Sequence, residues 1–139
     1  MLTYTEITAK CSAEMLANRD DAAIAAAVSA GRTAIKPAWL TDRGLVSALL
    51  NATGSMAMSD SILNKLAAVA ASSPSVSAIQ RRLQNDPTGI DFGDTGFRAN
   101  VQAMTPGVFS AAECDALLAL SVQPDPVTVY DVARAMEGH

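Results

Sequence analysis

The sequence has 139 residues, 14 acidic against 10 basic side chains and a net charge of −4, and half of its residues are hydrophobic. That length suits one domain burying roughly two-thirds of its extended surface, and the apolar fraction excludes disorder as the main state. Binding to a phosphate backbone runs on Lys and Arg displacing counterions, so the missing basic surplus argues against nucleic acid, and no apolar run approaches the ~20 residues of a bilayer span.

Alanine supplies much of the apolar content, and aromatic residues are only 4% of the chain. Small side chains let helix axes approach closely, and alanine is the best helix former. The expectation is an all-α fold: a compact orthogonal bundle of about seven to eight short, capped helices, forming a single domain over 1–139.

In chain order, Tyr4, Ile7, Cys11 and Met15 recur at helical spacing after a cap at Thr3 or Thr5. Asp20 and Asp21 then precede an alanine-rich helix that Gly31 ends, the acids answering the orphan N–H groups of its first turn. Arg32 to Leu40 reads as a connector stiffened by Pro37 and carrying the only tryptophan, Trp39. Thr41 or Asp42 caps a short helix over Leu45, Val46, Leu49 and Leu50, and 51–58 reads as a loop around Gly54. Ser59 opens a stronger helix with Ile62, Leu63, Leu66, Val69 and Ala70 on one face. Pro74 suits the first turn of the next, whose apolar edge is Val76, Ile79 and Leu83.

The stretch 85–93 is the least helical, with Asp86-Pro87 and its glycines marking turns; Ile90 to Phe92 have room for a brief strand pairing. Asp94 caps a helix carrying Phe97, Val101 and Met104, which stops at Thr105-Pro106-Gly107. Ser110 and Glu113 form a capping box ahead of Cys114, Leu117 and Leu118. A rigid spacer, Gln123 to Pro126, leads to a second box at Thr128 and Asp131. The last helix then presents Val129, Val132, Ala133 and Met136 as its apolar edge.

Few groups here carry chemistry. The single histidine, His139, is the last residue and is expected to be mobile, a poor member of any triad. Cys11 and Cys114 read as buried, small apolar residues with reduced thiols, a disulfide forming only if their two helices meet. With one histidine and two distant cysteines no zinc spacing exists, and the GxxxxGK[ST], GxGxxG and GxSxG motifs are missing. The N-terminus lacks a basic region followed by an apolar run, which points to a cytoplasmic site of synthesis and use. Asp86, Asp91 and Asp94 share a glycine-containing loop, but their spacing lacks the alternating oxygen donors of a calcium loop. Turn formation and capping account for all three. No catalytic residue, cofactor or metal is therefore assigned.

Contact residues for a partner are easier to name. Trp39 is the foremost, since tryptophan is enriched at interface hot spots, although it also suits a lid over the core. Met56 and Met58 offer two flexible apolar side chains beside Gly54, unless they pack beneath their loop. Arg81 and Arg82 lie off the apolar edge of their helix. Tyr130 and Arg134 share a face opposite Val132 and Met136, either closing over the fold or open to a partner.

Three segments carry a family likeness. Arg19-Asp-Asp-Ala-Ala-Ile-Ala-Ala-Ala-Val-Ser-Ala-Gly-Arg-Thr33, followed by Thr41-Asp-Arg-Gly-Leu-Val-Ser-Ala-Leu-Leu50, resembles small helical proteins encoded by tailed bacteriophages. The ending, Pro124-Asp-Pro-Val-Thr-Val-Tyr-Asp-Val-Ala-Arg-Ala-Met136, is similar in style. The group has no agreed activity, so no site residue carries over. The resemblance implies a phage context, among virion and tail genes.

The leading expectation is a non-enzymatic structural or adaptor protein of a phage particle, associated with head or tail. It would contact other phage structural proteins or copies of itself in a symmetric assembly, with no nucleic-acid or membrane partner. The alternative is a protein of the infected host's cytoplasm that binds and inhibits a host factor, such as a defence component. A third reading, an enzyme with an unfamiliar site between Asp86 and Asp94, has only those carboxylates behind it.

Overall fold

A computed structural model describes residues 1–139. The chain begins with α1 (Tyr4–Lys10), α2 (Ala13–Asn18), α3 (Asp21–Ser29), β1 (Thr33–Ile35) and β2 (Trp39–Leu40). There follow α4 (Asp42–Thr53), α5 (Ala57–Ala70), α6 (Pro74–Asn85) and β3 (Ile90–Asp91). The last elements are α7 (Thr95–Ala103), α8 (Ala111–Ala119), β4 (Val122–Pro124) and α9 (Val129–Ala135). Helix makes up 61% of the chain in nine segments, so the helical expectation holds in the main. The seven or eight expected helices are nine, and four short strands depart from a purely all-α fold.

The chain divides into two units, each with its own core: Met1–Ala34 with Gln123–His139, and the intervening Ile35–Val122. In the first unit Thr3 and Glu6 close a reciprocal capping box on α1. The expected helix through Met15 breaks at Cys11, whose backbone is extended. The cause is Ser12, whose hydroxyl accepts from Met15 N (3.3 Å) and caps a fresh helix instead. A serine side chain that satisfies orphan N–H groups competes in this way with helix continuation.

Asp20 caps α3 through Ala23 N (3.1 Å), and Gly31 follows with a left-handed φ of 69°, as the sequence suggests. Ile7, Ile24, Ala25, Val28, Val132 and Met136 are buried together. Val129 departs from expectation: it is half exposed, and Ala135 packs against this core. The stiffened connector and the rigid proline-rich spacer, in which the sequence suggests no strand, hold β1 and β4, which pair with each other. Beyond them Asp125 N donates to Arg32 O (3.0 Å), and the Arg32 guanidinium meets Asp125 (3.2 Å) and Glu6 (3.4 Å). His139, expected to be mobile, lies with its ring flat on Tyr4, the centroids 3.9 Å apart.

In the second unit α4 outruns its predicted length. It continues to Thr53, whose hydroxyl donates back to Leu49 O (2.7 Å), and Gly54 ends it with φ 73°. Helix α5 starts at Ala57, two residues before the expected Ser59. The core gathers Leu45 and Leu49 of α4, Ile62 and Leu66 of α5, Val76 and Leu83 of α6, Val101 of α7, and Cys114 and Leu117 of α8. Phe92 and Phe109, both from irregular chain, complete it. Strands β2 and β3 pair antiparallel, Trp39 opposite Asp91 and Leu40 opposite Ile90. That pairing depends on Gly89: its φ is +76°, and a Cβ there would collide with the Leu40 backbone.

A polar junction joins α5 to α8. Glu113, the second member of the α8 capping box, is 4% exposed. It accepts from Ser110 N (2.9 Å) and Ser61 Oγ (2.5 Å) and pairs with the Lys65 ammonium. Ser61 and Lys65 sit one turn apart on α5, so a single carboxylate reaches both. Burial raises the Glu113 pKa, but the Lys65 bond and those from Ser110 and Ser61 outweigh it and hold the carboxyl at about 2.

Candidate functional site

The tryptophan segment is fixed by hydrogen bonds between its backbone and one carboxylate and one amide of the facing chain. Asp91 Oδ1 accepts from Ala38 N and from Gly93 N, both at 2.9 Å, and Phe92 N donates to Ala38 O (2.9 Å). Pinned there, Trp39 stands 55% exposed at the side of a cleft of about 430 Å³. A large aromatic surface held open to water on a fixed backbone is not a core lid; it is available for contact.

The cleft has an apolar floor and a charged margin. Helix α6 contributes Ile79 and Arg82, three residues apart and hence on one face. Ile90 comes from β3 and is 4% exposed, and Phe97 comes from α7. Phe97 is held by a tilted contact with the buried Phe92, ring centroids 4.8 Å apart. Asp91, Asp94 and Asn100 supply the polar atoms. Asp94 Oδ2 accepts from Phe97 N (2.9 Å), which caps α7 and fixes the start of that wall.

The three loop carboxylates have turn and cap roles, as the sequence suggests. Asp86 accepts from both Thr88 N (3.0 Å) and Thr88 Oγ1 (2.8 Å). Those two bonds, with a further contribution from the Arg82 charge, keep its carboxyl below the usual aspartate range. Asp91 ties β3 to the chain before Trp39, and Asp94 caps.

Of the residues singled out from sequence, Trp39 and Arg82 meet in this cleft. Arg81 is exposed on α6 but does not line it. Met56 is exposed at the N-cap of α5, whereas Met58 packs against the core of its unit. Tyr130 and Arg134 belong to the other unit. The Arg134 guanidinium lies 5.9 Å from the Tyr130 ring centre, and Tyr130 is 67% exposed, so this face is open. Cys11 is half-buried and Cys114 buried, both as free thiols.

Ile79 and Phe97, read from the sequence as apolar helix positions, do pack against the core and also line the cleft, whereas nothing local in the sequence joins Ile90, Asp94 or Asn100 to Trp39. The one signal was the possible short pairing at Ile90 to Phe92, which lacked a named partner strand. Glu113 was read only as a cap; Ser61 and Lys65, polar at i and i+4 within an apolar helix, were the sign that something charged faces them. No known protein family, curated protein or solved structure matches this chain.

Proposed function

We propose that this protein is a non-enzymatic structural or adaptor component of a tailed-phage particle, working through protein–protein contacts, with the Trp39 cleft as its contact site. The observation that carries the contact role is the lone tryptophan, half exposed on a rigid backbone beside an apolar floor. Tryptophan beside apolar side chains with a polar margin is the composition of an interface hot spot and its rim. The engagement of Asp86, Asp91 and Asp94 with backbone donors favours architecture over acid–base chemistry for those side chains. The phage context rests on the segments 19–33, 41–50 and 124–136.

Two measurements test the reading. Mass spectrometry of purified particles of the encoding phage is expected to find the chain at a fixed copy number relative to a capsid or tail protein. Particles assembled with W39A are expected to lose it, while the free variant keeps its helical circular dichroism. A chain missing from particles but recovered with a host protein in infected cells would overturn the virion role and support the host-inhibitor alternative. Full incorporation of W39A would remove the cleft from the contact.

A further inference from the structure

Resting on that reading of the cleft, the chemistry of its walls defines the partner more closely. We infer that the Trp39 cleft takes a short segment of a partner protein in which an aliphatic side chain stands beside a lysine or arginine. Three features of the cleft carry this.

The floor is aliphatic and aromatic: Ile79, Ile90 and Phe97 with Ala78 between them. An apolar side chain seated there leaves water, at roughly 25 cal/mol per Å² buried. The volume of about 430 Å³ admits side chains from an extended segment but not a folded element.

The margin is acidic in balance. Asp91 and Asp94 face one arginine, Arg82. Each aspartate is held by backbone donors on one oxygen, Oδ1 of Asp91 and Oδ2 of Asp94. A carboxylate has about four acceptor positions, so anchoring fixes the charge in place without consuming it. The whole chain is also acidic, at −4, and draws basic partners.

The third feature is the tryptophan itself. An ammonium or guanidinium over an indole face within about 6 Å is attracted by the ring quadrupole, and tryptophan is the strongest of the aromatic partners. Trp39 opposes Asp91 across the β2–β3 pair, so an aromatic face and a carboxylate flank one position. A cationic side chain satisfies both; an acidic one satisfies neither.

The test uses the full chain. A surface-displayed random peptide library is sorted on the wild type, with W39A as the counter-target to remove binders seated elsewhere. The expected result is enrichment of Lys or Arg next to Leu, Ile or Met. The selected peptide is then titrated while following the fluorescence of Trp39, the sole tryptophan. Affinity should fall with rising salt, and D94N should weaken it about fivefold, the order of one exposed ion pair. Asparagine is as good a helix cap as aspartate, so D94N removes charge and leaves α7 intact, which an unchanged melting temperature verifies. Trp39-dependent peptides that are acidic or neutral, or unaltered affinity in D94N, would overturn this inference and leave the cleft as a contact site. If no peptide depends on Trp39, the contact site falls as well.

Discussion

Replacing Glu113 by glutamine should expose how much the α5–α8 junction contributes, because glutamine keeps the shape and the capping box and removes only the charge. The carboxyl sits at about 2 in the fold against an ordinary value of 4.5. At roughly 1.4 kcal/mol per unit, that difference corresponds to about 3 kcal/mol near neutral pH. Lys65 is 39% exposed, and solvent screening of that partner brings the expected loss in E113Q to about 2–3 kcal/mol. The sign follows from the depressed pKa. The stabilisation is fully present above the unfolded value of 4.5 and is lost as pH falls through the window toward 2. By the same relation, less than half of the unscreened figure remains at about pH 3.

Urea unfolding of wild type and E113Q, near pH 7 and again near pH 3, reads both numbers. The gap between the two proteins should be wide at neutral pH and less than half as wide in acid. A second variant sharpens the test. K65M leaves the buried carboxylate without its cation and should cost more than E113Q, about 3–5 kcal/mol. In E113Q the ammonium left behind can turn to water. Equal stability of wild type and E113Q at neutral pH, or a gap that does not narrow in acid, would refute the role assigned to this junction.

Two glycines of nearly equal φ should respond very differently to alanine. Gly54 has open space around its missing Cβ, so G54A should cost only the left-handed backbone term of about 1–2 kcal/mol. Gly89 adds a collision with the Leu40 backbone, and G89A should lose about 3 kcal/mol or more by thermal or urea melting as β2 and β3 are forced apart. Leu66 and Leu117 are 5% and 4% exposed, and alanine at either should cost about 2–5 kcal/mol in the same assay, whereas R81A should stay within about 0.5 kcal/mol. R98A should lose about 1.5–3 kcal/mol, since it strips a charged donor from Leu118 O (2.7 Å) and from the buried Ser121 hydroxyl (2.5 Å).

The parts of the fold legible in the sequence are those that local chemistry decides. Asp20, Thr41, Asp94, Ser110 and Thr128 all cap the helices that follow them, because each reaches backbone N–H groups within its own first turn. Helix continuations were less legible. At Cys11 the 3.6-residue period runs on, but Ser12 offers a competing cap, and only the three-dimensional outcome decides between them. Past Leu50 the exposed Asn51 and Ala52 broke the apolar pattern while the backbone stayed helical to the glycine. The strands were hidden for a different reason. Strands of two or three residues have no period to detect, and each draws its hydrogen bonds from a segment far along the chain. The candidate site inherits that difficulty: Trp39 was conspicuous alone, but its neighbours come from α6, β3 and α7.

The same pairing that hid the site makes it useful. Trp39 sits next to Ala38, which is bonded to Asp91 through its N–H and to Phe92 through its carbonyl. Phe92 is buried in the core and touches Phe97 of the cleft wall. Anchor and floor are thus fixed by one short run of chain, residues 90–97, before a partner arrives. An exposed tryptophan on a mobile connector would lose conformational freedom on binding, at a cost of order 1 kcal/mol for each residue ordered. Here β2, β3 and the α7 cap already hold the segment, so a contact made at the proposed site would not carry that cost. Asp91, a turn residue by sequence, is what holds the tryptophan segment in place.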